Sequence, residues 1–157
     1  MKKMKHVADS RTEQTYLLMH RHINGYGRLF GGQLLKWIDE IAGIVGKRHA
    51  ECEITTASID NLNFKAGAFL NDTVVLIGRI TYVGKSSMEA RVDTYVEELD
   101  GTRRMINRAY IVMVAIDQEG KPVEVPGLIL ETESERAEWQ GGERRYRLRK
   151  KRREEGY

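Results

Sequence analysis

Residues 24–49 read NGYGRLFGGQLLKWIDEIAGIVGKRH and predict a glycine-rich turn that leads into a long helix. Four apolar side chains recur at steps of four, three and four residues, the spacing of one buried helical stripe: Leu34, Ile38, Ile41 and Val45. A second line beside this stripe holds Leu35, Ala42 and Gly46. Asp39 falls on that second line. Because a buried carboxylate without partners is costly, Asp39 should lie either at the wet edge of the helix or where chemistry uses its charge.

Gly31 and Gly32 stand at the start of this helix, where the first amides have no acceptor inside the helix. Glycine lets another group approach those amides closely, and the positive end of the helix dipole favours a developing negative charge. An alternative interpretation is that the glycines only permit a tight entry into the helix. The spacing matches neither the phosphate-binding loop of nucleotide hydrolases nor the dinucleotide-binding fingerprint.

The composition is typical of one domain with a modest extension. The chain has 157 residues, of which 41% are hydrophobic, and its formal net charge is +3. The single cysteine, Cys52, cannot form an internal disulfide and fits a reducing compartment. Residues 1–10 lack the apolar segment of a signal peptide, and no apolar run is long enough to cross a bilayer. We therefore expect a cytoplasmic protein without a membrane partner.

The rest of the chain predicts an α+β fold in which an antiparallel β-sheet wraps around one long central helix. Strands are predicted within residues 13–20, 54–64, 74–83, 88–97 and 103–117. In the fourth of these, Met88, Ala90, Val92, Thr94 and Val96 share one face. The fifth is apolar on both faces from Ile111 to Ile116, so both faces should be covered. Such a sheet leaves an edge strand with unpaired backbone groups. Association of two copies through this edge would pair those groups, so we predict a dimer.

We divide the chain into a flexible lead-in (1–12), a main domain (13–126) and a helical, basic extension (127–157). In the extension, Thr132 and Glu135 have capping-box spacing and predict a short helix over 133–140, ended by Gly141-Gly142. Residues 143–154 are densely basic and are predicted to form a solvated, partly disordered tail. Contact with a CoA phosphate or a second subunit is the next interpretation. Nucleic acid is not expected, because no base-reading module is evident.

Four segments together resemble the hot-dog acyl-CoA thioesterases: NGYGRLFGGQLLKWIDEIAG (24–43), TTASIDNLNF (55–64), GKSSMEARV (84–92) and ETESERAEWQGGERRYRLRKKR (131–152). The resemblance implies a hot-dog fold and acyl-CoA as the substrate, hydrolysed to free CoA and a carboxylic acid. It implies a homodimer, assembled further into a trimer of dimers, with active sites between subunits. No metal and no separate cofactor are implied.

The resemblance also assigns roles to individual residues. Asn24 and Asp39 correspond to the catalytic pair, contributed by different subunits to each site. Asp39 would activate water or attack the thioester directly, and the sequence favours neither route. The amides near Gly31 and Gly32 would then polarise the substrate carbonyl. The loop Gly84, Lys85, Ser86 and Ser87 is expected to lie near the CoA nucleotide, although an ordinary hairpin turn would have the same spacing.

Other chemistries are less well supported by the residues. A non-catalytic, acyl-CoA-binding regulator with this fold remains an alternative, as does a hot-dog dehydratase, which would need a histidine near Asn24. Asp60 is the main rival acid. No serine occupies a nucleophile elbow. His20, His22, His49 and Cys52 are too scattered for a structural metal site, so ordinary packing or surface roles are expected of them.

Overall fold

A five-stranded antiparallel sheet packed against one long helix forms the centre of the computed structural model, which describes residues 2–60 and 62–157. The elements are β1 (Met4–His6), α1 (Val7–Ser10), β2 (Thr12–Leu17), a 3-10 turn (His20–His22), α2 (Gly31–Ala50), β3 (Glu53–Asp60), β4 (Thr73–Val83), β5 (Ser87–Glu97), β6 (Arg103–Ile116), β7 (Gly127–Ile129) and α3 (Glu133–Glu155). The strand order is β2-β4-β5-β6-β3, so β2 and β3 are the edges. This confirms the predicted fold class.

Helix α2 contributes the predicted apolar stripe to the core. Leu34, Ile38, Ile41 and Val45 are all fully buried against the sheet. Gly46 is buried on the second line, where an added Cβ would lie 2.8 Å from the Met113 sulfur. Asp39 is exposed, so it occupies the wet edge of the helix.

Strand β5 separates two environments, as its alternation predicts. Met88, Ala90, Val92 and Val96 belong to the core under α2. The alternate residues lie on the opposite face, where Glu89 and Arg91 contact side chains of α3. A charged strand face is therefore buried under a second helix rather than exposed to solvent.

Strand β6 differs from its prediction, because only one of its faces is fully buried between 111 and 116. Ile111, Met113 and Ala115 are completely buried, whereas the alternate residues are only half-buried. Two of these, Val112 and Val114, form the floor of a cleft beside α3. The helix covers part of this outer face and leaves the cleft open.

The chain termini are more ordered than the sequence indicates. Residues 4–6, assigned to a flexible lead-in, form β1, which pairs in parallel with β7 from the extension. Val7 follows in α1 and is buried. A three-residue strand shows no readable periodicity, which explains why the pattern missed it.

The predicted break of the C-terminal helix at Gly141-Gly142 is wrong. Helix α3 runs without interruption from Glu133 to Glu155, and the Thr132 side chain caps its start by accepting from the Glu135 N–H. Gly142 is buried against β4, where an added Cβ would lie 2.5 Å from the Tyr82 Cβ. This glycine thus allows close helix–sheet packing. Consequently, the basic residues expected in a tail are helical.

Two smaller differences concern the strands next to α2. The first strand ends at Leu17 rather than near residue 20, and the strand predicted to reach Phe64 ends at Asp60. Position 61 within that segment lies outside the described residues. No helix in the described part of the chain is both long and apolar enough to span a membrane.

Candidate active site

The loop that precedes α2 is held in shape by Asn24. Its side-chain Oδ1 accepts hydrogen bonds from the backbone N–H groups of Tyr26 (2.9 Å) and Arg28 (3.2 Å). Its backbone N–H donates to the Arg28 carbonyl (2.7 Å), and Gly27 closes the turn with a φ of +75°. The Asn24 Nδ2 has no hydrogen-bond partner among the described residues. The side chain is exposed, so this donor is free to meet a ligand.

The N-terminus of α2 presents unpaired backbone donors. Helix α2 begins at Gly31 without a side-chain cap, and the N–H groups of Gly31 and Gly32 have no acceptor in the described part of the chain. They lie at the positive end of a helix of 20 residues. This arrangement suits an oxygen that gains negative charge.

Two exposed aromatic rings flank these amides. An added Cβ on Gly31 would lie 3.3 Å from Cζ of Phe64, and one on Gly32 would lie 2.6 Å from Cε2 of Phe30. Any larger residue would press against a ring or displace it. The glycines therefore keep the amides accessible between two apolar surfaces.

Asp39 lies further along α2 and faces strand β3. Its Oδ1 accepts a hydrogen bond of 2.8 Å from the Thr56 hydroxyl. Both residues are exposed and belong to the region of the edge strand, where the sheet has no further partner. Thr56 is a residue that sequence analysis missed, because only the folded chain brings this strand next to the helix.

Within one chain, the predicted oxyanion donors and the predicted acid lie apart. No hydrogen bond joins Asn24 to Asp39 among the described residues. Gly31 and Asp39 are eight residues apart on one helix, which corresponds to about 12 Å at the helical rise. One thioester carbon cannot contact both ends of that distance. Within one chain, Gly31 and Asp39 therefore cannot both contact the same thioester carbon.

A cleft of about 520 Å³ opens between α3 and the loop that precedes β5. Its lining combines hydroxyls and arginines over an apolar floor: Ser58, Ser86, Ser87, Val112, Val114, Tyr146, Arg149, Arg152, Arg153 and others. Of the predicted CoA loop, Ser86 and Ser87 line this cleft. Gly84 and Lys85 instead line a neighbouring shallow surface with Glu124 and Trp139. The structure thus divides the loop between two surfaces.

The arginines in the cleft are partly paired with Asp60. The Asp60 carboxylate lies 3.6 Å from Arg149 and 3.5 Å from Arg152. Asp60 therefore has an ion-pairing role, which weakens its candidacy as the catalytic acid. Arg153 has no salt bridge among the described residues. The cleft carries excess positive charge, which favours an anionic ligand.

Sequence analysis placed Arg149, Arg152 and Arg153 in a solvated tail and gave contact with a CoA phosphate only as its second interpretation. For two of them, Arg149 and Arg153, the signal was the four-residue spacing that continues from Arg145 and places these side chains along one line of a helix. That spacing is informative only if the helix continues through Gly141-Gly142, and the sequence predicted that it ends there.

The histidines have structural surroundings. His22 is buried beside Trp37, its Nδ1 accepts from the Met19 N–H (3.0 Å), and burial lowers its pKa. His49 is fully buried, its Nε2 lies 2.8 Å from the Pro126 carbonyl, and burial likewise lowers its pKa. Among the described residues, no three histidine, cysteine or acidic side chains group in a way that could hold a metal ion.

Comparison with known proteins gives one consistent result. Residues 26–101 match the thioesterase superfamily model. The chain is 38% identical over 128 residues to the uncharacterized acyl-CoA thioester hydrolase YkhA of Bacillus subtilis, covering 81% of this chain and 74% of that protein. It is 37% identical to the cytosolic acyl coenzyme A thioester hydrolase of Rattus norvegicus over 77% of this chain, but spans only 32% of that longer protein.

Solved structures agree. An apo-hexameric acyl-CoA thioesterase superposes with a TM-score of 0.91 at 38% identity, covering 96% of this chain and 97% of that one. An acyl-CoA hydrolase of Staphylococcus aureus, solved with butyryl coenzyme A and coenzyme A, gives a TM-score of 0.92 at 31% identity, covering 97% and 93%. With the observed sheet and helix, these similarities show that the chain belongs to the hot-dog acyl-CoA thioesterase family.

Proposed function

We propose that this protein hydrolyses acyl-CoA to free CoA and a carboxylic acid, using Asp39 as general base or nucleophile. The observation that carries the proposal is an exposed carboxylate on α2, oriented by Thr56, in a helix whose N-terminal amides are unpaired. Thioester hydrolysis needs these two elements, a base or nucleophile and donors for the oxyanion. Membership of the acyl-CoA thioesterase family supports acyl-CoA as the substrate.

The oxyanion forms next to Gly31 and Gly32 in this scheme. Their N–H groups donate to the thioester oxygen as it gains charge, and the Asn24 Nδ2 orients the water or the carbonyl. The acyl group then lies against the rings of Phe30 and Phe64. In one route, Asp39 takes a proton from a water that attacks the carbonyl carbon, the C–S bond breaks, and the CoA thiolate leaves and takes up the proton. In the other, the Asp39 carboxylate attacks the carbonyl carbon and expels the CoA thiolate, and water cleaves the resulting anhydride to the carboxylic acid and free Asp39. Both routes proceed without a metal or organic cofactor.

Each active site combines two subunits. The separation of about 12 Å between Gly31 and Asp39 on one helix supports a site in which the amides and Asn24 of one copy face Asp39 of another. The exposed position of Asp39 at the β3 side of the sheet supports the same arrangement. A homodimer is the minimal unit, and a trimer of dimers is consistent with a hexameric structural relative.

The cleft beside α3 receives the phosphates of CoA. Hydroxyls of Ser86 and Ser87 and the guanidinium groups of Arg149, Arg152 and Arg153 surround it. Arginine suits phosphate, because its planar donors make charge-assisted, paired hydrogen bonds. Gly84 and Lys85 complete the loop from the adjoining surface.

The test is free-thiol release from a series of acyl-CoAs of increasing chain length, comparing the wild type with Asp39→Ala. We expect rapid release by the wild type and loss of turnover in the variant, with an unchanged circular dichroism spectrum because Asp39 is exposed. Equal release by both proteins would refute the role of Asp39. Tight acyl-CoA binding without release would favour a non-catalytic regulator.

A further inference from the structure

Glu89 is a fully buried carboxylate that the proposed chemistry does not use. It lies on β5 with a side-chain exposure of 1%. Its Oε1 accepts from the Thr81 hydroxyl (2.6 Å) and Arg145 Nη2 (2.8 Å). Its Oε2 accepts from Arg145 Nε (3.0 Å) and Arg149 Nη1 (3.0 Å). A strand thus holds two arginines of α3 through one acid.

The carboxylate remains charged despite its burial. Burial alone would raise the pKa of Glu89, but the hydrogen bonds from Arg145 and Thr81 and the charges of both arginines lower it. A buried ion pair of this kind is seldom a net source of stability, but its geometry is specific. The role of this ion pair is therefore the positioning of the two arginines that it binds.

Helix α3 is held against the sheet by several contacts besides Glu89, since Trp139 and Tyr146 lie against Tyr82 and Glu138 binds Arg91. It carries no continuous apolar stripe, and Gly142 is its only fully buried residue in the part of the chain that the structure describes. Gly142 brings the helix directly over Glu89, since an added Cβ would lie 3.1 Å from Oε1. Arg145 also stacks over the ring of Tyr110, with the guanidinium carbon 3.7 Å from the ring centroid. Glu89 therefore helps to fix which side of α3 faces the sheet, and its hydrogen bond to Arg149 reaches an arginine of the cleft.

The rotation of α3 determines the phosphate cleft. Arg149 is bound to Glu89 and also lines the cleft, and its side chain is only 11% exposed. Arg152 and Arg153 follow within the next turn and line the same cleft. If the helix turned or shifted, these guanidinium groups would leave the space opposite Ser86 and Ser87.

We propose that Glu89 is a positioning residue for CoA recognition: it acts through Arg145 and Arg149 to hold the arginines of α3 around the phosphates. This inference rests on the proposed function, since it assumes that CoA occupies the cleft. It predicts an effect on substrate affinity and not on the chemical step.

The experiment compares the wild type, Glu89→Gln and Glu138→Gln. Glutamine keeps the shape of Glu89 but removes the charge. Glu138 is the matched control, because it also joins α3 to β5, through Arg91, but lies outside the cleft. Each protein is assayed with an acyl-CoA and with the same acyl group on N-acetylcysteamine, a thioester without phosphates. Calorimetry with free CoA measures binding independently of turnover.

We expect Glu89→Gln to raise the KM for acyl-CoA and the Kd for CoA by about tenfold, the effect of losing one good ionic contact. The kcat for acyl-CoA should stay within about twofold of the wild-type value. The kcat/KM for the phosphate-free thioester should also stay within about twofold of the wild-type value. Glu138→Gln should leave all of these near the wild-type values. If Glu89→Gln does not fold, Glu89→Asp, which keeps the charge but shortens its reach, replaces it with the same expectation.

Two results would overturn the inference: an unchanged Kd for CoA, or an equal loss on both thioesters. The second result would mean that Glu89 only maintains the fold. Failure of the proposed function would give a different result from these two. The wild type itself would then hydrolyse neither thioester. Calorimetry would still report whether Glu89 affects CoA binding.

Discussion

At the scale of single residues, the candidate site depends on small contacts that orient exposed groups. The hydrogen bond from Thr56 to Asp39 restrains a carboxylate that has no burial to hold it. An unrestrained side chain would sample several rotamers, and only some of them direct an oxygen toward a substrate. Thr56 should therefore contribute to the rate more than to stability.

Replacing Thr56 with valine tests this role. The change keeps the shape of the side chain and removes its hydroxyl, and we expect kcat to fall by about tenfold, equivalent to ~1.4 kcal/mol. The melting temperature should stay near the wild-type value, because both residues are exposed. Thr55→Val is the matched control, since the Thr55 side chain points to the other face of the strand. Equal rates for the two variants would contradict the role of Thr56.

Sequence reasoning was effective for residues whose environment is local. Helical periodicity placed Asp39 beside the apolar stripe of α2 and left the wet edge as one of two alternatives, and the free amides at Gly31 and Gly32 follow from the helix start. Thr56 and Arg149 could not be recognised in the same way. Their partners lie on elements that are distant in sequence, and only the folded chain brings them together.

At the scale of elements, α3 shows how tertiary packing overrides propensity. Two adjacent glycines normally weaken a helix by about 1 kcal/mol each relative to alanine. Here the helix continues through them, because Gly142 permits contact with Tyr82 and the flanking charged residues bind the sheet. A local pattern cannot distinguish a glycine that ends a helix from one that lets it pack closely.

The two glycines of α3 should respond oppositely to alanine. In Gly142→Ala, the new Cβ would lie 2.5 Å from the Tyr82 Cβ, and overpacking of this kind costs about 1–3 kcal/mol. In Gly141→Ala, the nearest atom is Arg145 Nη1 at 3.1 Å, which is not one of the two Arg145 nitrogens bound to Glu89, so a shift of a few tenths of an ångström suffices and improved helix propensity should dominate. Denaturant unfolding measures both. Equal free energies of unfolding for the two variants would contradict the packing role of Gly142.

The C-terminal end of α2 should introduce a pH dependence through His49. Burial lowers the pKa of this side chain, so the unfolded chain binds the proton more readily than the folded one. The stability that His49 contributes is therefore present above its ordinary pKa of about 6.5 and is lost as the pH falls below it.

Urea unfolding between pH 7.5 and pH 5 measures this effect. The free energy of unfolding should fall with decreasing pH, by up to ~1.4 kcal/mol per pH unit from this group. In His49→Gln, which can still donate to the Pro126 carbonyl, the slope should be smaller. An identical slope in the two proteins would show that His49 does not titrate differently on folding.

At the scale of the whole molecule, the sequence pattern predicted most of the fold, whereas the assembly was implied only by the resemblance to a known family. Alternation along β5, the hairpin turns and the stripe on α2 were sufficient for an antiparallel sheet around a helix. The charged face of β5 was visible in the sequence, but what covers it depended on α3. The cleft beside α3 has no local sequence signal, because it is formed by β3, the start of β5, β6 and α3, which are far apart in the chain.

The central claim is that one active site uses Asn24 of one subunit and Asp39 of another. Asn24→Ala and Asp39→Ala subunits, each inactive alone, can be co-expressed with different affinity tags and isolated as mixed assemblies. In a mixed dimer one site receives both substitutions and the other receives neither. Random pairing should therefore restore about a quarter of the wild-type sites.

The decisive measurement is free-thiol release from acyl-CoA by these mixed assemblies. We predict activity that each single variant lacks, at about a quarter of the wild-type rate before purification of the mixed dimers and about half after it. Mixed assemblies as inactive as either variant would contradict the account, because they would place Asn24 and Asp39 of the same subunit in one site.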